Sequence, residues 1–248
     1  MLCRIATLLL TSLGLACSAM AAEIQVLAPN AAKESVSEAI SVFERATGHK
    51  VVVAWTGTEA ISKRVAEGAV VDVVVNTAQN IDRQSKDGKL KGGTRTDFAR
   101  SSIGVAVPAS AARVDVSSTD ALKAALLSAQ TIVVSSGTSG RHMVEVFTKL
   151  GVGEQLKIKT KQPPSGAQIA DFLAAGEADL GFQQVSELLH AKGIHYLGSL
   201  PADLQNHTIY SAALHASAAN ADAAKALLGA LRSPAVQAIV RTSGMEPL

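Results

Sequence analysis

The strongest constraint on how this chain can fold is the recurrence of short aliphatic runs separated by segments with helical amphipathic spacing. IQVLA (24–28) precedes SVSEAISVFERATG, KVVVAW (50–55) precedes EAISKRVAEG, and VDVVVN (71–76) follows. A half-solvated strand alternates apolar and polar residues, whereas a strand covered on both faces is apolar throughout, as in a parallel sheet between helical layers. The intervening segments are long enough to cross between parallel strands, so an α/β fold with parallel pairing is expected. The pattern resumes with SSIGVAVP (101–108), TIVVS (131–135), helical MVEVFTKLG, LKIKT (156–160), helical AQIADFLAAG and ADLGFQQ (178–184). TIYSAALHA (208–216) reads as another strand, and SAANADAAKALLGALRS as a terminal helix that Pro234 interrupts. Two α/β units are predicted, with Lys86–Thr96 the most loop-like stretch.

The first residues, MLCRIATLLLTSLGLACSAMA, combine an early arginine, an apolar core and a small-x-small ending. They read as a secretory signal cut after Ala21, which places the mature protein in the periplasm. Both cysteines, Cys3 and Cys17, fall inside it, so no disulfide scaffold is expected. A lipoprotein reading of Cys17 ranks second, because Gly14 stands where a lipobox leucine belongs. No later segment approaches the roughly 18 apolar residues of a spanning helix. The formal charge is only +2, the basic residues are scattered and aromatics make up 3% of the chain, which leaves no footprint for nucleic acid.

In open α/β sheets, ligands lie beyond the carboxyl ends of the strands, so the residues that follow each run carry the functional signal. These are Pro29-Asn30-Ala31, Thr56-Gly57-Thr58, Ser135 to Arg141, Pro164-Ser165-Gly166 and Gln183-Gln184. Helix starts preceded by Gly, Ser and Thr offer backbone N–H groups and hydroxyls to an anion, although the same residues also serve as ordinary caps. The expected ligand-binding set is Asn30, Ala31, Thr58, Thr138, Ser139, Arg141, Ser165, Gly166 and Gln184. Arg141 stands out because a cation at a helix start is disfavoured by about 0.3–1 kcal/mol unless an anion is bound there.

Enzyme motifs fit poorly. GTSG (137–140) has neither the nucleophile-elbow nor the P-loop spacing, and the six histidines show no metal-binding pattern, so neither metal nor cofactor is expected. His142 and Glu145 form either an acid/base pair beside the anion or an ordinary surface pair.

IQVLAPNAAKESVSEAISVFERATGHKVVVAWTGTEAISKRVAEGAVVDVVVNTAQNID resembles the first lobe of periplasmic molybdate-binding-type solute receptors of ABC importers. QIADFLAAGEADLGFQQVSEL and SPAVQAIVRTSGMEP resemble the later signatures of that family. The resemblance implies a two-lobe clamshell, each lobe a mostly parallel sheet flanked by helices, with crossover strands near residues 105 and 212. It divides the chain into residues 22–103 plus 214–248 and residues 104–213. It also implies a monomer that binds a small anion and delivers it to a membrane permease.

Two departures bear on the ligand. The family's first-turn serine is replaced by Asn30 or Ala31, and its late tyrosine by Gln184. Arg141 next to an amide contact favours a planar polycarboxylate over molybdate or tungstate, because a guanidinium fork matches carboxylates bidentately. The group also includes aconitate isomerase, and that reading makes Arg141 an anchor and His142 or Glu145 the proton shuttle. Arg95 and Arg100 are alternative sources of positive charge.

Overall fold

The computed structural model describes residues 21–248; residues 1–20 of the expected signal segment, with Cys3 and Cys17, lie outside the described residues. In the first lobe the chain forms β1 (Glu23–Pro29), a 3-10 turn Asn30–Ala32, α1 (Lys33–Thr47), β2 (Lys50–Thr56), α2 (Thr58–Ala66), β3 (Val73–Thr77), α3 (Ala78–Lys86) and β4 (Thr96–Ser101). It then enters the second lobe through β5 (Ile103–Pro108), α4 (Thr119–Ser128), β6 (Ile132–Val134), α5 (Thr138–Lys149), α6 (Gly153–Lys157), β7 (Thr160–Lys161), α7 (Ile169–Ala174), β8 (Leu180–Gln184), α8 (Val185–Leu188) and β9 (Ile194–Ser199). It returns through β10 (Thr208–Leu214), α9 (Ala221–Ala230), α10 (Pro234–Thr242) and β11 (Glu246–Pro247).

Two sheets result, with strand orders β11-β4-β10-β3-β1-β2 and β7-β6-β8-β5-β9. Each contains the parallel trio that the aliphatic runs predict, β2-β1-β3 in one and β7-β6-β8 in the other. The sheets are nevertheless mixed rather than mostly parallel. The carboxyl ends of the parallel strands face the hinge, so a chain that enters a lobe there must run against them. β5 pairs antiparallel with β8, and β10 antiparallel with β3.

β10 hydrogen-bonds along its length to β3 and β4 in the first sheet. Residues 208–213, which the sequence assigned to the second lobe, therefore lie in the first. The changeovers fall at Ser102 and within residues 200–207.

Alternate residues of one strand serve opposite layers. Val73 and Val75 pack with Ile24, Val26 and Phe43 under α1, α9 and α10, whereas Val74 and Leu27 pack with Ile61 and Ile81 under α2 and α3. The second sheet is covered in the same way, with Ile132 and Val134 facing Met143 and Phe147 on one side and Val133 facing Ile169 and Leu173 on the other. The terminal helix breaks as expected. Ser233 caps Val236 N, and Pro234 opens α10, where its missing N–H costs nothing. No helix among the described residues is long and apolar enough to cross a membrane.

Candidate functional site

Where the carboxyl ends of the two parallel trios meet, the lobes enclose a space of about 480 Å³, including its mouth. The first lobe contributes Pro29 to Ala31, Gly57 and Thr58, and Tyr210 at the start of β10. The second contributes Ser135 to Ser139, Pro163 to Ala167, Ile169, Gln183, Gln184 and Glu187. No lysine, arginine or histidine is part of this lining.

Its polarity comes from helix starts. The N-caps of α2 and α5 are Gly57 and Gly137, both extended and both without a side-chain cap. Ala60 N and Gly140 N donate to Ser165 Oγ and Ser135 Oγ, so the first-turn N–H groups left to the cavity are those of Thr58, Glu59, Thr138 and Ser139, which have no partner within the helix. The two starts oppose each other so closely that a Cβ on Gly137 would sit 3.1 Å from Thr58 Oγ1. Each start carries about half a positive charge, so their approach is unfavourable until an anion lies between them.

Second-layer bonds fix both turns. Asn76 Nδ2 donates to Thr58 O (3.2 Å) and to Ser62 Oγ (3.1 Å), locking the first turn of α2. Ser135 Oγ accepts from Gly140 N (3.2 Å) and contacts Ser139 Oγ (2.8 Å), locking that of α5.

The lobes are closed on each other. Asn30 Nδ2 donates to Gly166 O (3.0 Å), Ala60 N to Ser165 Oγ (3.1 Å) and Ser186 Oγ to Ala31 O (2.7 Å). A Cβ on Gly57 would meet Ser165 Oγ at 2.2 Å, so this contact requires glycine. Outside the cavity, Arg141 Nη1 reaches Glu59 Oε1 (2.6 Å) and His190 Nδ1 lies 3.3 Å from Glu34 Oε1.

Eight of the residues expected from the sequence are brought together here: Asn30, Ala31, Thr58, Thr138, Ser139, Ser165, Gly166 and Gln184. Two of them also hold the lobes shut, since the Asn30 amide and the Ser165 hydroxyl bond across the interface. Arg141 is the exception. It projects to the rim, half exposed, where Glu59 and Thr138 Oγ1 occupy its guanidinium.

The other expected charges are likewise engaged elsewhere. Arg95 binds Asp82 and Asp97, and Arg100 binds Glu246; neither lines the cavity. His142 turns away, with Nε2 2.7 Å from Leu204 O, and Glu145 beside it is 76% exposed, so this is a surface pair and not a cavity acid/base pair. Spacing along α5 put them one turn beyond the cleft end, on faces directed at the 200–207 segment and at water.

Two cavity residues with titratable side chains escaped the sequence reading, Glu187 and Tyr210. Gln183 Oε1 accepts from Ile169 N (2.9 Å), which fixes its amide so that Nε2 donates to Glu187 Oε1 (2.8 Å). Glu187 keeps some contact with the cavity, yet protein surrounds it so fully that desolvation pushes its carboxyl up to about 8, against a smaller opposing effect of the Gln168 amide. Burial, and then the nearby Glu187, hold the Tyr210 phenol well above its usual range. A periodic pattern one turn past Gln184 would have pointed to Glu187.

Two buried polar atoms in the cavity wall, Ser136 Oγ and Gln184 Oε1, have no partner. Gln184 Nε2 bonds Thr208 Oγ1 (3.0 Å), but that hydroxyl can serve either end of the amide. A half-turn therefore presents the Gln184 amide N–H groups to an anion.

Residues 24–246 match the family described as bacterial extracellular solute-binding protein. The aconitate isomerase of a Pseudomonas species is 30% identical over 97% of this chain and 94% of its own length. The molybdate-binding protein ModA of Azotobacter vinelandii is 28% identical over 93% of this chain and 92% of its own. The solved periplasmic molybdate-binding protein of Azotobacter vinelandii superposes with a TM-score of 0.76 at 20% identity, covering 90% of this chain and 98% of its own.

Proposed function

The chain belongs to the bacterial extracellular solute-binding protein family, and we propose that it captures one small organic acid between its lobes, holding a carboxylate with neutral donors. The observation that carries this reading is the pair of uncapped helix starts, α2 and α5, facing each other across a cavity without a cation. A carboxylate between them accepts N–H groups from both lobes, so it binds the closed state more tightly than the open one.

An organic acid is preferred to a compact oxyanion because a second hollow adjoins the first, sharing Asn30, Ala31 and Glu187 in its wall. Lys33 and His190 border that hollow, where a further carboxylate could be balanced. Arg141 no longer supports the preference, since its fork is occupied by Glu59. A periplasmic location, a monomeric state and delivery to a permease complete the reading.

Thermal-shift titration of the mature protein tests it. An organic acid such as citrate, tricarballylate or an aconitate at one hundred times its dissociation constant stabilises the fold by about 2.7 kcal/mol. Stabilisation by molybdate or sulfate alone would overturn the organic-acid reading.

A second reading, isomerisation of aconitate, is favoured by Glu187, the one carboxyl group in the cavity lining. In its ionised form it would take a proton from the methylene carbon. The double bond shifts, and the same proton returns to the former alkene carbon, so no group is gained or lost. Because the carboxyl titrates near 8, both of its forms are accessible around neutral pH. Chromatographic interconversion of cis- and trans-aconitate, abolished in Glu187→Gln, would establish it; no conversion by the wild type would end it.

A further inference from the structure

An inward-facing carboxyl is out of place among donors arranged for an anion. Ionised, Glu187 would repel the ligand that the helix starts attract. The bonding pattern resolves the conflict. Ile169 N fixes the Gln183 amide, whose Nε2 donates to Glu187 Oε1, and the Gln168 amide approaches the same oxygen at 3.5 Å. Oε1 is thus committed as an acceptor, and among the described residues no group donates to Oε2. A neutral Glu187 carries its proton on Oε2, on a side chain that forms part of the cavity wall.

We propose that Glu187 is the proton-linked donor of the site: its neutral carboxyl donates from Oε2 to the captured anion, so that the pocket accepts an anion only together with a proton. This rests on the anion-capture reading above and adds the condition under which capture occurs.

The surroundings agree. The charged and titratable groups that share Glu187's two hollows are Tyr210 on β10, Lys33 and Glu34 at the start of α1, and His190 after α8. Tyr210 stays neutral because its phenol is held well above its usual range. Glu34 and His190 pair with each other at 3.3 Å. Lys33 lines only the outer hollow. No cation among the described residues is bonded to Glu187, and its carboxyl is pushed up to about 8 by desolvation.

The test is calorimetric titration of wild-type mature protein and Glu187→Gln with molybdate, sulfate, citrate and trans-aconitate between pH 7 and 9.5, where these probes keep their charge. If only the neutral form binds, its fraction falls through that range and the wild-type dissociation constant rises about 30-fold. Glu187→Gln keeps a donor in place, so it binds with a flat profile; a slope in it as steep as that of the wild type would overturn the inference.

A flat wild-type profile, or tighter binding as pH rises, would overturn this inference while leaving capture intact. Failure of both proteins to bind every probe would overturn the anion reading and this inference with it.

Discussion

Arg141 Nη1 on α5 lies 2.6 Å from Glu59 Oε1 on α2, and the pair ties the second lobe to the first at the rim of the cavity. Each residue sits just inside a helix whose start faces the ligand space, so the pair forms only when the two starts oppose each other. The basic residue that stood out in the sequence is thus bonded across the two lobes and lies outside the cavity lining.

That role sets the size of its effect. The guanidinium is 50% exposed and the carboxylate 35%, so screening limits the pair to about 0.2–1 kcal/mol. Arg141→Ala and Glu59→Ala should each weaken anion binding by about 1.4- to fivefold. The double variant should be no worse than either single one, because the interaction is already lost. A calorimetric double-mutant cycle checks this, and a much larger loss confined to Arg141→Ala would return the guanidinium to the ligand.

Ser136 offers the complementary case. Its buried hydroxyl has no partner in the protein, so removing it leaves no donor or acceptor newly orphaned. Ser136→Ala should leave the urea midpoint of the free protein nearly unchanged. Loss of a hydrogen bond to a charged ligand should weaken binding by about 1.5–3 kcal/mol, roughly ten- to a hundredfold. Equal losses in both measurements would show a structural role instead.

These residues mark how far the sequence could be read. Aliphatic runs such as VVVN exposed β3 and its neighbours because burial on both faces leaves no polar position. LKIKT misled for a related reason. Its alternation suggests a strand, but Leu156 closes α6 against the core while Ile158 is 91% exposed, and only Thr160–Lys161 forms β7. TDFARS, the source of β4, has no aliphatic run because one of its neighbours, β11, is only two residues long and its polar side chains form ion pairs at the sheet surface.

The turns of the site were legible because strand ends place them. Charge was not. Whether Arg141 meets a ligand or Glu59 depends on the distance between the lobes, which no local pattern encodes. Glu187 was hidden because the raised carboxyl that distinguishes it arises from burial, which no local pattern encodes.

Arg95 and Asp97 give a prediction for acid stability. Arg95 bonds both oxygens of Asp97 (2.7 and 2.8 Å) and reaches Asp82 (2.7 Å), while Ser211 donates to Asp97 (2.6 Å), joining α3, β4 and β10. The Arg95 hydrogen bond is the main cause that lowers the Asp97 carboxyl below its ordinary range. A depressed acid stabilises the fold above its ordinary value and loses that contribution as pH falls through the folded value. Asp97→Asn should therefore be less stable by about 1 kcal/mol at pH 7, after allowance for partial exposure, and the two urea curves should converge on strong acidification. A constant gap across that range would remove Asp97 from the acid response.

Closure itself can be tested at Gly57. Its φ of −86° is open to any residue, so alanine brings no local strain, yet its Cβ would lie 2.2 Å from Ser165 Oγ and 2.5 Å from Gly166 N. Those atoms belong to the opposite lobe, and the backbone nitrogen cannot rotate away. Gly57→Ala should keep the fold while holding the lobes apart, lowering anion affinity at least tenfold, about 1.4 kcal/mol. Solution scattering should then show no decrease in radius of gyration on adding ligand, whereas the wild type contracts. Gly229→Ala, on α9 with no atom near its Cβ position, should be more stable by about 0.5–1 kcal/mol and bind normally, separating the effect of closure from that of adding a methyl group. Normal contraction in Gly57→Ala would mean that the turn carrying Ser165 and Gly166 yields, and that the closed contact does not govern capture.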